Sequence, residues 1–337
     1  MDNTGVSYEI WDKVEPEPTV EVADGAAEFA REGKFDVLIG VGGGSALDTT
    51  KAAAVLVRNP GSVKQYLGAE IPNPPMPMIL MPTTSGTGSE VSNAAVFAVP
   101  EEQFKYVLYS PLIYPDLAIV DPKLTLTMPP KVTAQSGMDA LCHAVEAYTS
   151  LQASPITDVL ALKAIELIAK SLREAYANGD NLEARKNMAY ASLIAGLAFG
   201  NAGTVLAHAA GHAFSYRYHV PHGIAVAVML PYVLEFNSIS NLEKHIEIAC
   251  RLGENVSGLP PREAALRAAL AVKKLLIDLD LPTNLRELGL KKDEIEIIAK
   301  DVFKSKAHIA RNPRKVTMEG VIKLYERAYE GRLMSEE

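Results

Sequence analysis

The chain has 337 residues, enough for about two domains and a sizeable core without covalent staples. With 48% hydrophobic and 22% charged residues it has a globular composition, and a net charge of −8 argues against a nucleic-acid partner. Two cysteines, Cys142 and Cys250, exclude a disulfide framework and any all-thiolate metal cluster, so a reducing, cytoplasmic compartment is expected. The opening MDNTGVSYEIWDK lacks the apolar core of a signal peptide, and no export or transit signal is expected.

In chain order, Phe35–Gly40 reads as a buried strand, followed by GVGGGS and a helical run from Ala46 to Val57. Met76–Met81 reads as a second buried strand after the proline-rich IPNPPMP. Ala94–Ala98 and Tyr106–Tyr109 read as a short hairpin turning at Pro100-Glu101-Glu102, and Leu117–Val120 as a further strand. After Met128-Pro129-Pro130 the pattern becomes helical. Helices are expected at Ala134–Ser150, Pro155–Ala177, Leu182–Phe199, Thr204–Phe214, Ile224–Asn237, Leu242–Leu252, Arg262–Ile277 and Asp293–Ala307. This predicts an α/β domain over residues 1–130 and an all-helical domain over 131–337, with the cleft between them as the default ligand site. From Asn187 to Tyr216 no charged residue occurs for thirty residues. The polar Asn201, His208 and His212 and the turn-like FGNAG favour buried helices there, and no membrane span is expected.

Gly40-Val41-Gly42-Gly43-Gly44-Ser45 joins a strand to a helix, so its backbone N–H groups and the helix N-terminus can gather on an anion. It is neither a G-x-G-x-x-G fingerprint nor a P-loop. Asp48 lies one turn on. A second loop, PTTSGTGSE from Pro82 to Glu90, also follows an apolar strand. Either loop alone also reads as an ordinary tight turn; the two together favour a phosphate-bearing or nucleotide ligand.

Asp139 and His143 are four apart in the helical SGMDALCHAVEAY, and His208 and His212 share that spacing in VLAHAAGHAF. His222 follows at a proline-glycine turn. Two such pairs and a turn histidine point to a divalent metal, because buried imidazoles need partners. Three imidazoles and a carboxylate suit Fe(II), Zn, Co or Ni, and Cys142 reads as a small buried residue. A Lewis acid beside a dinucleotide implies hydride transfer at a carbon bearing oxygen.

GGGSALD, TTSGTGSEV, the G-x-D-A-L-x-H block and the H-A-A-G-H…PHG block together resemble the iron-dependent (group III) alcohol dehydrogenases, from about Ile10 to Asn312-Pro313-Arg314. The resemblance implies a Rossmann-like dinucleotide-binding domain followed by an all-α domain, the dehydroquinate synthase-like fold. It implies Fe(II), with Zn as the other metal, held by Asp139, His143, His208 and His222. His212 matches a non-ligand histidine tied to proton relay or cofactor placement. Gly42, Gly43, Gly44 and Ser45 match the pyrophosphate turn. Thr83 and Thr84 match the second cofactor loop, Lys105 a lysine reaching the ribose, and Asp48 the helix aspartate. Ala94, Val96 and Leu124 match pocket-lining positions. NAD or NADP, a small alcohol or aldehyde substrate and a homodimer are implied with them. Family members usually carry another strand and helix before this chain's first residue, and MDNTGVSYEIWDKVEPEPTVE resembles the connection and second strand. The activity implied is that of an alcohol dehydrogenase or aldehyde reductase. The alternatives are a glycerol dehydrogenase-like or dehydroquinate synthase-like metalloenzyme, or a non-catalytic metal-binding remnant.

Overall fold

The residues around the first glycine cluster set the frame of the N-terminal unit. The computed structural model describes residues 5–99, 101 and 104–336, and these divide into two compact units. The first takes in the chain up to Thr83 and Ser89–Val120; the second comprises Thr84–Gly88 and the chain from Asp121 onward.

In the first unit α1 (Val20–Gly33) precedes β1 (Leu38–Gly42), α2 (Gly44–Arg58) and β2 (Met78–Pro82). A hairpin of β3 (Ala94–Val99) and β4 (Phe104–Tyr109) follows, then β5 (Leu117–Ala118). Strands β1, β2 and β5 form a parallel sheet in that order, with Leu38 opposite Met78, Gly42 opposite Pro82, and Ile79 opposite Leu117. Strands β3 and β4 pair antiparallel from Ala94–Tyr109 to Val99–Phe104. Of the expected turn, Pro100 and Glu102 lie outside the described residues.

Two expectations are corrected by the structure, and one helix adds to them. The strand after Phe35 is not buried throughout: Val37 and Ile39 are each 38% exposed and Val41 is 53% exposed. An apolar run shows that a strand can be covered on both faces, not that it is. Among the described residues before Val20 there is no strand; Thr19 bridges singly to Ala98. Finally, α1 went unread in the sequence, although Ala23, Ala26, Ala27 and Ala30 make its buried stripe.

The second unit is helical: α3 (Pro130–Thr149), α4 (Pro155–Ala177), α5 (Leu182–Ala202), α6 (Leu206–Tyr218) and α7 (His222–Ser238) come first. They are followed by α8 (Leu242–Arg251), α9 (Pro261–Asp278), α10 (Ile295–Val302), α11 (Lys306–Arg311) and α12 (Met318–Glu330). Ends are set locally. Pro130, Pro155 and Pro261 occupy first turns, where a missing N–H costs nothing, and Ser154 and Thr157 close a capping box on α4. Helix α7 is apolar on all sides and buried from Ile224 to Glu235, so it forms the spine of a core shared by the surrounding helices.

The charge-free stretch becomes most of α5 and most of α6, bent by 104° at the break. No single helix among the described residues is long and apolar enough to cross a membrane. The helix expected over Asp293–Ala307 is interrupted. Phe303, Lys304 and Ser305 donate to Lys300, Asp301 and Val302, a tight i→i−3 winding that ends α10 and lets α11 start in a new direction.

Candidate metal and cofactor site

Helix α3 carries Asp139, His143 and Glu146 at spacings of four and three, which places all three on one face. Helix α6 supplies His208 and His212, and His222 is the first residue of α7. One ligand atom from each of Asp139, His208 and His222 lies within 4.8 Å of the others. His222 Nε2 stands 3.4 Å, and His208 Nε2 3.9 Å, from Asp139 Oδ1. Two ligands about 2.1 Å from one ion at tetrahedral angles would stand about 3.4 Å apart, so the spacing fits a shared cation after slight contraction.

Asp139 Oδ1 and His208 Nε2 are buried and have no hydrogen-bond partner. An orphaned carboxylate oxygen facing an orphaned imidazole nitrogen is costly unless both are ligands. Nitrogen and carboxylate donors without thiolate suit iron or zinc. Cys142 is buried, and burial pushes its thiol pKa far up, so it stays protonated beside the group.

His143 lies beside this triad rather than within it. Its ring stacks on Phe199 at 4.3 Å and on His208 at 4.7 Å, and Nδ1 is 3.9 Å from Asp139 Oδ2. Nδ1 donates to the Gly86 carbonyl at 3.3 Å. A carbonyl only accepts, so Nδ1 carries the proton and Nε2 keeps a lone pair. The second glycine-rich loop is thus an orienter of this histidine, made possible by close approach. A Cβ at Gly86 would fall 2.7 Å from the Ser136 carbonyl oxygen. One at Gly88, whose φ is +59°, would fall 2.6 Å from the Gly196 Cα.

Burial lowers the pKa of His143 to about 4 and of His208 to about 3, so both are neutral and ready to ligate at neutral pH. Burial alone would raise Asp139, but the imidazoles of His143, His222 and His208 outweigh it and hold the carboxyl below its usual range.

His212 borders the group, its ring 5.0 Å from that of His222 and 5.8 Å from that of His208. Two neighbours escaped the sequence reading. His308 on α11 lies 5.6 Å from the His212 ring, its pKa lowered by burial to about 4. Glu146 contacts His208 Nδ1 and accepts from the backbone of Ala207 at 2.6 Å and His208 at 3.2 Å, with its pKa raised by burial to about 7. Its spacing from Asp139 and His143 was visible in the sequence; its partners, about sixty residues on, were not.

In the first unit the glycine turn closes β1 and opens α2. A Cβ at Gly42 would lie 2.6 Å from that of Ala46, so only glycine lets the turn pass this close to the helix. Gly43 caps α2, and Gly44 and Ser45 form its first turn, where N–H groups point out of the helix. Thr83 N–H donates to the Gly42 carbonyl at 2.9 Å, which sets Thr83 beside this turn at the carboxyl ends of parallel strands. Asp48 accepts from Ser89 Oγ at 2.6 Å and Val96 N–H at 2.9 Å, tying α2 to the segment that bears Ala94 and Val96. Lys51, unread in the sequence, is buried on Ser92 and Ala94 carbonyls. Lys105 Nζ pairs with Glu17 at 2.7 Å, and the Glu17 N–H donates to Ser45 Oγ at 3.2 Å. Thr84 and Leu124 belong to the second unit, Leu124 in the 3-10 turn Pro122–Thr125.

Residues 1–122 match the iron-containing alcohol dehydrogenase family, and residues 133–329 match the C-terminal part of the Fe-containing alcohol dehydrogenase family. The chain belongs to the iron-containing alcohol dehydrogenases. The long-chain-alcohol dehydrogenase 1 of Geobacillus thermodenitrificans (strain NG80-2) is 43% identical over 98% of this chain and 84% of its own length. The NAD-dependent methanol dehydrogenase of Bacillus methanolicus is 38% identical over 96% and 85%. The crystal structure of a 1,3-propanediol oxidoreductase superposes with a TM-score of 0.93 at 42% identity, over 97% of this chain and 86% of that one. As an iron-containing alcohol dehydrogenase the chain is an oxidoreductase acting on alcohols, and its Rossmann-like sheet followed by helices is the architecture the motifs implied.

Proposed function

We propose that this alcohol dehydrogenase interconverts a small primary alcohol and its aldehyde, with NAD in the first unit and Fe(II) held by Asp139, His143, His208 and His222. The observation that carries the metal assignment is the facing pair of orphaned buried atoms, Asp139 Oδ1 and His208 Nε2. NAD is favoured over NADP by the similarity to an NAD-dependent methanol dehydrogenase. The first unit is then the dinucleotide-binding domain and the second the metal and substrate domain. A cytoplasmic location, in keeping with the unpaired Cys142 and Cys250, and a homodimer are part of the same reading.

Bound iron would lower the pKa of an alcohol oxygen and polarise a carbonyl. The chain's own residues prepare the rest. Asp139 brings the one negative charge to the cation, and the neutral imidazoles offer lone pairs without first losing a proton. His222, with a side chain 30% exposed against 4% for Asp139, is the open edge where a small substrate enters. His212 takes the hydroxyl proton outward, with the neutral His308 next to it. Gly42, Gly43, Gly44 and Ser45 receive the pyrophosphate, Thr83 supports it, and Lys105 turns from Glu17 to the ribose. Asp48 braces that surface through Ser89 and Val96, and Ala94 and Val96 flank it within the same unit.

Anaerobic titration of the Fe(II)-loaded protein with NADH and NADPH, followed by fluorescence, tests the reading without a known substrate. Saturable binding with NADH preferred is expected. Preference for NADPH would overturn the cofactor assignment, and no binding by folded protein would overturn the dinucleotide site.

A further inference from the structure

We infer that Glu146 is a positioning residue that fixes the tautomer and aim of His208. The inference rests on the reading of Asp139, His208 and His222 as metal ligands. Three donors converge on this one carboxylate. Oε1 accepts from the backbone N–H of Ala207 at 2.6 Å and of His208 at 3.2 Å, while Oε2 meets His208 Nδ1. Ala207 and His208 sit in the first turn of α6, which has Val205 at its cap position and no side-chain cap there. Glu146 therefore closes the helix end from outside, and its negative charge suits the positive pole there.

His208 is gripped at both its backbone and its ring, so its side chain cannot turn without giving up the Nδ1 contact to Oε2. A carboxylate only accepts, which places the ring proton on Nδ1 and leaves the lone pair on Nε2. That nitrogen is the orphaned atom facing Asp139 Oδ1. Helix α3 thus supplies both a ligand, Asp139, and the group that orients a second ligand on another helix.

The amide isostere cannot reproduce this. In Glu146→Gln, an oxygen facing the two backbone N–H groups leaves the NH₂ facing Nδ1, which moves the ring proton to Nε2. The flipped amide sets its NH₂ against two N–H donors.

The test is ¹⁵N-histidine NMR of the metal-free protein at pH 8, with the His208 resonance assigned by its loss in His208→Gln, together with Co(II) titration. Expected are the Nδ1–H form in the wild type, the Nε2–H form in Glu146→Gln, and about 10- to 100-fold weaker Co(II) binding by that variant. A purely structural role would leave the tautomer unchanged. Unchanged tautomer and affinity in a folded Glu146→Gln overturns the inference. If that variant does not fold, the wild type decides: Nε2–H on His208 overturns the inference and Nδ1–H supports it. Absence of Co(II) binding by the wild type would instead strike the metal reading, which the NMR result does not depend on.

Discussion

Gly86→Ala is the substitution whose effect the geometry sets most directly. The new Cβ would lie 2.7 Å from the Ser136 carbonyl oxygen, 2.8 Å from its Cβ and 2.9 Å from its Cα. Ordinary contact begins near 3.4 Å, so the loop must retreat by about 0.7 Å, the difference between those two distances. Ser136 and His143 are two turns apart on the same face of α3, so retreat from one is retreat from the other. The 3.3 Å bond from His143 Nδ1 to the Gly86 carbonyl would open to about 4 Å, beyond hydrogen-bond range. Overpacking against backbone costs about 1–3 kcal/mol, and freeing the imidazole costs about 10- to 100-fold in metal affinity. Thermal unfolding of the metal-free protein and Co(II) titration measure the two effects. Gly25→Ala in α1 is the control. There a Cβ meets only Trp11 at 3.8 Å, and the change should be neutral or stabilise by about 0.5–1 kcal/mol. Metal affinity within about two-fold of wild type in Gly86→Ala would refute the claim that this loop orients His143 for ligation.

His212→Ala should keep the metal at near wild-type affinity while turnover falls by about 10²- to 10⁴-fold, read by metal analysis and steady-state kinetics; loss of the metal would make His212 a ligand. Arg185 is buried and donates to Gly179 and Met128 carbonyls and to Thr133 Oγ1. Arg185→Met strands those acceptors and should cost about 2–4 kcal/mol in urea unfolding; a loss below about 1 kcal/mol would contradict this. Acid should destabilise the metal-free protein. His143, His208 and His308 have folded pKa values of about 4, 3 and 4, so the unfolded chain binds more protons below about 6.5 and stability falls with pH. Glu146, raised to about 7, opposes this between about 4.5 and 7 as one group against three. Urea midpoints from pH 7 to pH 4 should fall; a flat or rising series would mean these rings are not held neutral.

The metal residues were legible because helical spacing is a local property. Asp139–His143 and His208–His212 each had to share a face once their segments were helical, and the turn before His222 marked the start of α7. What joins α3 to α6 was not legible. Glu146 looked like one more charge on a helix until the fold set it against the first turn of α6. His308 was hidden for a related reason, since the run from Asp293 reads as one helix and only the tight winding at Phe303–Ser305 turns α11 toward His212. The glycines of both loops announced a turn, yet the role of Gly86 depends on a carbonyl meeting a ring from a distant helix. In the sheet, apolar content gave the strands β1 and β2 but not the exposure of Val41, which depends on what covers that face.

Anomalous diffraction at the iron edge from anaerobically loaded crystals tests the central claim most directly. A single strong peak is expected about 2.0–2.3 Å from Asp139 and from the Nε2 atoms of His208 and His222, with His143 drawn into the set. A peak elsewhere, or iron-loaded crystals with Asp139 Oδ1 and His208 Nε2 still unligated, would contradict it.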